Sequence, residues 1–208
     1  MTRRLSSKLY IENPSAVSSL PFWKAGSFQI PKNIVLIPET TFDPSAHYLR
    51  HEPYFKLVHR LQIIQPATMP KGYELASLST KEFAEHINQC FDTIGTSEEE
   101  LDEYRTYSVY DESLWLGVRD IKSKKVVATA IGEFDATIGE GIIEWVEVSE
   151  KHRLKGLGHF LVNELLSRLK GKADFVTVSG RINNPSNPLS LYESCGFGER
   201  FIWHVIVK

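Results

Sequence analysis

Arg153-Leu154-Lys155-Gly156-Leu157-Gly158 puts two glycines and two basic residues within six positions. Such a turn suits anions. Glycine lets the main chain approach a ligand closely, and a helix beginning there points its first free N–H groups at phosphate oxygens. A few charge-assisted hydrogen bonds, each worth about 1.5–3 kcal/mol, would hold a pyrophosphate. Just upstream, Glu144 and Glu147 stand in the apolar run Ile142–Val148. A carboxylate there could take a proton once its pKa is tuned. Downstream, Tyr192 carries a phenol that stays protonated at pH 7 and can donate.

The elements that must position these groups follow from pattern. Residues 142–148 read as a largely buried strand. Alternation puts Glu144 on the face of Val146 and Val148, and Glu147 with Trp145, unless a bulge resets the parity. After the turn, Phe160, Leu161, Leu165, Leu166 and Leu169 make one broad helix face, and Lys170-Gly171-Lys172 supplies its charge and cap. The order of basic and glycine residues matches neither a P-loop, which ends Gly-Lys-Ser/Thr, nor the G-x-G-x-x-G dinucleotide fingerprint. Phe175–Val178 reads as the next strand, and Asn187-Pro188 as the N-cap and first position of a short helix.

An R-x-x-G-x-G turn between a buried strand and an amphipathic helix resembles the coenzyme A pyrophosphate loop of the GNAT acetyltransferase superfamily. Further on, Asn183-Asn184-Pro185 and then Leu191-Tyr192-Glu193-Ser194-Cys195-Gly196-Phe197 resemble its second signature, an asparagine followed by L-Y-x-x-x-G-F. The resemblance covers residues 72–208. It implies an α/β (α+β) GNAT fold, a mixed central sheet flanked by helices, with acetyl-CoA as cosubstrate and no metal. Residues 1–71 show no match and are expected to be an N-terminal extension packed on the core.

The resemblance also implies roles. Arg153, Leu154, Lys155, Gly156, Leu157 and Gly158 would hold the pyrophosphate, and main-chain groups of Val146 and Val148 the pantetheine arm. Asn184 and Asn187 both qualify as further cofactor contacts, because the spacing from Asn184 to Tyr192 is one residue longer than the family commonly shows. Tyr192 would be the acid for the leaving thiolate. A lysine-like amine costs about 4–5 kcal/mol to deprotonate at pH 7, so a base is needed; Glu144 and Glu147 both remain candidates. The implied reaction is N-acetyl transfer to a primary amine of a small molecule or peptide by direct attack in a ternary complex. A noncatalytic acyl-CoA-binding module is the alternative. Fold does not name the acceptor.

The rest of the chain narrows the class. With 208 residues it can bury a proper core, and its net charge of −2 gives no electrostatic reason to expect nucleic acid or an anionic membrane. No run reaches membrane-spanning length, and Cys90 and Cys195 make neither a disulfide framework nor a metal site, which points to the cytoplasm. Cys195 lacks a paired histidine and is expected to pack; His159, just after the turn, reads as a surface residue or a minor phosphate contact, and the set His47, His51 and His59 as surface or core residues. Residues 92–112 hold eight acids against Arg105, an acidic rim for a cationic acceptor or, more simply, a solvated and capped helix face. Residues 1–71 carry most of the prolines and many aromatics. A hairpin is expected from Phe28–Ile30 and Asn33–Ile37, and a short helix over His51–Leu61. The extension could serve substrate recognition or a homodimer contact. In the remainder, a strand is expected near 71–78, capped helices at 80–91 and 98–107, strands near 114–119 and 125–133, and a last strand at 201–207.

Overall fold

A computed structural model describes residues 7–16, 32–91 and 95–207. Among the described residues, eight strands form one sheet: β1 (Ile34–Pro38), β2 (Arg50–His59), β3 (Tyr73–Ala76), β4 (Trp115–Asp120), β5 (Val126–Asp135), β6 (Glu140–Val148), β7 (Phe175–Arg181) and β8 (Gly198–Val207). Their order is β1-β8-β2-β7-β6-β5-β4-β3, antiparallel throughout except for the parallel pair β6 and β7. The helices are α1 (Ser7–Glu12), α2 (Thr80–Cys90), α3 (Glu98–Tyr104), α4 (Leu157–Leu169) and α5 (Pro188–Ser194).

Capping boxes open α2 at Ser79 with Glu82 and α3 at Ser97 with Glu100, as the serine and glutamate spacing predicts. On α4, Leu157, Phe160, Leu161, Leu165, Leu166 and Leu169 are buried and form the main core with α5 and one sheet face. The other face carries α2 and α3 around Phe83, Ile87, Leu101 and Ile131. Ala128 and Ala130 belong to the first cluster and Ile131 to the second, the alternation that a strand between two layers must have.

The expected helix at 51–61 is instead β2. Tyr54, Leu57, Val58 and Leu61 do fall at helical spacing, but Phe55 and Leu57 face the main core while Lys56 and Val58 face the opposite side. Pairing along both edges, to β7 and β8, outweighs the helical periodicity. Pro53, without an N–H, sits opposite His204 and its carbonyl accepts from the Ile182 N–H at 3.0 Å. Of the expected hairpin, residues 28–30 lie outside the described residues. The other half is β1, which pairs with β8.

Residues 34–59 therefore enter the sheet itself. Among the described residues, the sheet neighbours of β8 are β1 and β2, so the last strand is tied to the remaining sheet through the N-terminal segment. Among the described residues, no helix is long and apolar enough to cross a membrane.

Candidate active site

The sheet opens at its one parallel pair. Strand β6 pairs with β7 only from Glu140–Phe175 to Ile143–Val178. Beyond that point Val146 and Val148 pair with Ala130 and Ala128 of β5, and their other main-chain edge faces the gap. Opposite the step from Ile131 to Gly132, β6 carries an extra residue, Glu144. This bulge resets the alternation: Ile143 and Val146, three apart, both pack on the main core.

Glu144 is therefore not on the face of Val146 and Val148, as unbroken alternation would have it. It lines a cavity on the opposite face together with Glu140, Ile142, Thr177 and Ser179. Trp145 joins the α2 cluster, stacking edge-on against Phe91, and Glu147 stands opposite Thr129. Burial pushes the Glu147 carboxyl up to about 8, with Arg153 opposing.

At the far end of β6, a one-turn 3-10 segment, Glu150–His152, leads into the glycine turn. Arg153 donates from Nε to the Val148 carbonyl at 3.0 Å, which ties the turn to the strand end. Leu154 and Gly156 have φ of 59° and 85°. Glycine takes this left-handed conformation without strain, whereas Leu154 does so fully exposed. Gly156 is the N-cap of α4 and brings no side chain to the first N–H groups. A Cβ on Gly158 would stand 3.1 Å from Leu191, so a glycine here lets α4 and α5 approach. Lys155 is exposed beside the turn. The group fits an anionic ligand: free helix N–H groups, two bases and an open strand edge in line.

Tyr192 comes from α5, packed between Phe55 and Phe197 with ring centroids at 6.2 and 5.7 Å. It is buried. Burial, then the Glu147 carboxylate and the Cys195 thiol, push its pKa up, which keeps the phenol protonated. Asn184 is spent on a local turn, its Oδ1 accepting from Ser186 N–H at 2.9 Å and Ser186 Oγ at 2.7 Å. Asn187 occupies the N-cap position of α5 in the left-handed region, φ 48°, without a capping side-chain bond.

Cys195 is buried, its thiol pushed up to about 11 by burial, and contacts Asn163 Nδ2 at 3.5 Å, so it packs. His159 bonds Gln65 Oε1 at 3.0 Å. His59 is buried in the core, and His51 is exposed and bonded to His204. Of the acids at 95–112, Glu100 closes a capping box, Asp111 caps and pairs with Lys172, and Glu103 accepts from Tyr107. Asp92 lies outside the described residues. A further cavity of about 320 Å³, bordered by Trp115, Arg105, Arg168 and Glu112, holds none of the candidate catalytic or cofactor-binding residues.

The model of the acetyltransferase (GNAT) family matches residues 80–197, more than half of the chain. The chain belongs to the GNAT acetyltransferase family. The match begins with α2 and ends just before β8, so β1, β2, β3 and β8 lie outside the family segment. Among solved structures, this GNAT chain is similar to a GCN5-related N-acetyltransferase from Sphaerobacter thermophilus (22% identity, TM-score 0.62, 76% of this chain and 52% of that one). It is also similar to a GCN5-related N-acetyltransferase from Kribbella flavida (16%, 0.51, 77% and 59%) and to Ard1 from Thermoplasma volcanium (18%, 0.51, 66% and 99%). The chain spans about half the length of the first of these. At such identities the likeness shows the fold, and family membership supports acyl transfer in general. No curated protein matches the sequence significantly.

Proposed function

We propose that the chain transfers an acetyl group from acetyl-CoA to a primary amine of a small molecule or peptide. The observation that carries this reading is the line from glycine turn to strand gap: α4's uncapped N-terminus, the open edge of Val146 and Val148, and the buried Tyr192 beside it. Acetyl-CoA supplies an activated acyl thioester. Arg153, Lys155 and the N–H groups at 156–158 would hold its phosphates, and the main chain of Val146 and Val148 its arm. Asn184 and Asn187 are weaker contacts, the first already committed to its turn.

Glu144 is the better base. It lines the cavity at the point where β6 and β7 part, so an ammonium entering there meets a carboxylate that attracts it and can take its proton. Glu147, whose buried carboxyl is pushed up to about 8 and is therefore mostly protonated at pH 7, is assigned a structural role. Cys90 and Cys195 are free thiols, in keeping with a cytoplasmic setting.

Thermal unfolding with and without acetyl-CoA tests the donor. Ligand at about a hundred times its Kd adds roughly 2.7 kcal/mol and raises the midpoint by several degrees. Gly156→Glu, still folded, should lose that shift; if the wild type shows none either, the assignment fails. A shift without thiol release from any amine would instead mark a noncatalytic acyl-CoA-binding module.

A further inference from the structure

The glycine turn leaves β6 through Ser149, and that point is held from outside the turn. Ser149 N–H donates to the Val127 carbonyl at 2.9 Å, which carries the pairing with β5 one residue past Val148. The Ser149 carbonyl accepts from His152 N–H at 2.8 Å and so starts the 3-10 segment. Its hydroxyl lies 2.9 Å from His86 Nε2. Further along, the Tyr73 hydroxyl meets His152 Nδ1 at 3.0 Å, and Arg153 reaches back to the Val148 carbonyl. Two of these holds come from far away in sequence, His86 from α2 and Tyr73 from β3.

His86 is the odd residue on its helix face. Its buried neighbours Phe83, Ala84 and Ile87 are apolar, and packing alone asks for another such side chain. A buried imidazole needs partners for its nitrogens. It has them: Nδ1 meets Thr129 Oγ1 at 2.9 Å, and Nε2 meets Ser149 Oγ. Thr129 stands opposite Glu147 in the ladder of β5 and β6. The ring therefore bridges from β5 to the residue at which β6 ends. Burial lowers its pKa to about 4, so at neutral pH one nitrogen donates, the other accepts, and the two hydroxyls take opposite roles. Cys90 Sγ, one helical turn on, lies 3.8 Å from Nε2 and, pushed up to about 11 chiefly by burial, stays a neutral thiol.

We propose that His86 is a positioning residue for the glycine turn. Through Ser149 Oγ it fixes where the chain leaves β6, and so where the first N–H groups of α4 stand relative to the open edge of Val146 and Val148. The proposal rests on the acetyltransferase reading above, in which one acetyl-CoA molecule meets both. Its diphosphate and its pantetheine arm are covalently joined, so a shift of the turn against the strand weakens one set of contacts or the other. Glycine makes the turn adaptable, and an anchor from α2 offsets that freedom.

Three variants separate holding from filling. His86→Phe keeps a ring and removes both nitrogens. His86→Gln can bring an amide to the place of Nε2 and reach Ser149, whereas His86→Asn reaches only the place of Nδ1, beside Thr129. Isothermal titration gives the Kd of acetyl-CoA, and amide hydrogen exchange follows residues 149–158, with residues 175–181 as reference. His86→Phe and His86→Asn should weaken acetyl-CoA binding about tenfold or more and speed exchange in 149–158 alone. His86→Gln should recover most of both. Wild-type affinity in His86→Phe, or His86→Gln no better than His86→Asn, overturns the proposal. So does faster exchange in both segments, which is general loosening. If His86→Phe does not fold, the comparison of His86→Gln with His86→Asn decides alone. If the wild type binds no acetyl-CoA, the donor reading has failed by itself. Exchange then decides: loosening of 149–158 in His86→Asn but not in His86→Gln supports the positioned turn, and its absence overturns it.

Discussion

Tyr192 and Glu147 are both buried, and burial favours the protonated form of each. A phenol held protonated can donate to a departing thiolate, and Tyr192→Phe deletes that donor while keeping the ring between Phe55 and Phe197. Steady-state kinetics should show kcat lower by about 10²–10⁴-fold with an unchanged fold. Glu144→Gln should lower kcat/KM, whereas Glu147→Gln should change stability more than rate. The folded Glu147 has a pKa of about 8 against 4.5, so between those values the folded state holds a proton that the unfolded chain has lost, and stability falls as pH rises. His86, buried between Thr129 and Ser149, works the other way: its pKa is lowered to about 4 from 6.5, and stability falls as pH drops through that window. The two slopes offset each other from pH 4.5 to 6.5. Above 6.5 the Glu147 contribution goes on falling, up to about pH 8 and by at most about 1.4 kcal/mol per pH unit, while buried Lys56, lowered to about 7 from 10.5, acts the other way above pH 7. Chemical denaturation of wild type and Glu147→Gln across pH 5–9 checks this: the difference between them, in which Lys56 cancels, should shrink as pH rises from 6.5 to 8.

Strands β1, β2 and β8 are held by one another and by β7, which makes the N-terminal segment part of the sheet's framework. Removing residues 1–60 would strip β8 of both neighbours and expose Leu57's and Phe55's partners in the core. The truncated chain should lose its cooperative transition in circular dichroism and aggregate. Phe55→Ala in the full chain should cost about 3–5 kcal/mol. Elements whose signal is local were legible in the sequence. Both capping boxes and the β4–β5 hairpin rest on neighbouring residues, as do the glycine turn and the α4 stripe. The helix expected at 51–61 failed because strand β2 is specified by partners more than a hundred residues away, which no local period reveals. The bulge was illegible for a like reason: Glu144 becomes the extra residue only against Ile131 and Gly132 across the ladder. Missing the strand also hid Lys56 and Trp203 as walls of the cavity that Glu144 lines. A lone lysine inside Tyr-Phe-Lys-Leu-Val was the one available hint, since alternation puts it opposite two core residues.

At the scale of the whole molecule, the sheet runs unbroken from β1 to β3 although only residues 80–197 match the family model. The chain should therefore unfold as one unit. Fluorescence dominated by Trp203 at one end and by Trp115 and Trp145 at the other, read in single-tryptophan variants, should give coincident urea midpoints. A separate early transition for Trp203 would mean that the N-terminal strands are an independent layer. The insertion of β2 between β7 and β8 has a further consequence, which concerns time. On the ribosome β2 is made long before its two partners, so at about 5–20 residues per second it waits roughly 6–24 s for β7 and roughly 7–30 s for β8. During that interval Phe55, Leu57 and Val58 have no sheet to join, and an exposed apolar strand invites pairing with a neighbouring nascent chain. Yield from a cell should thus depend on translation speed and chaperone capacity more than on the stability of the finished protein.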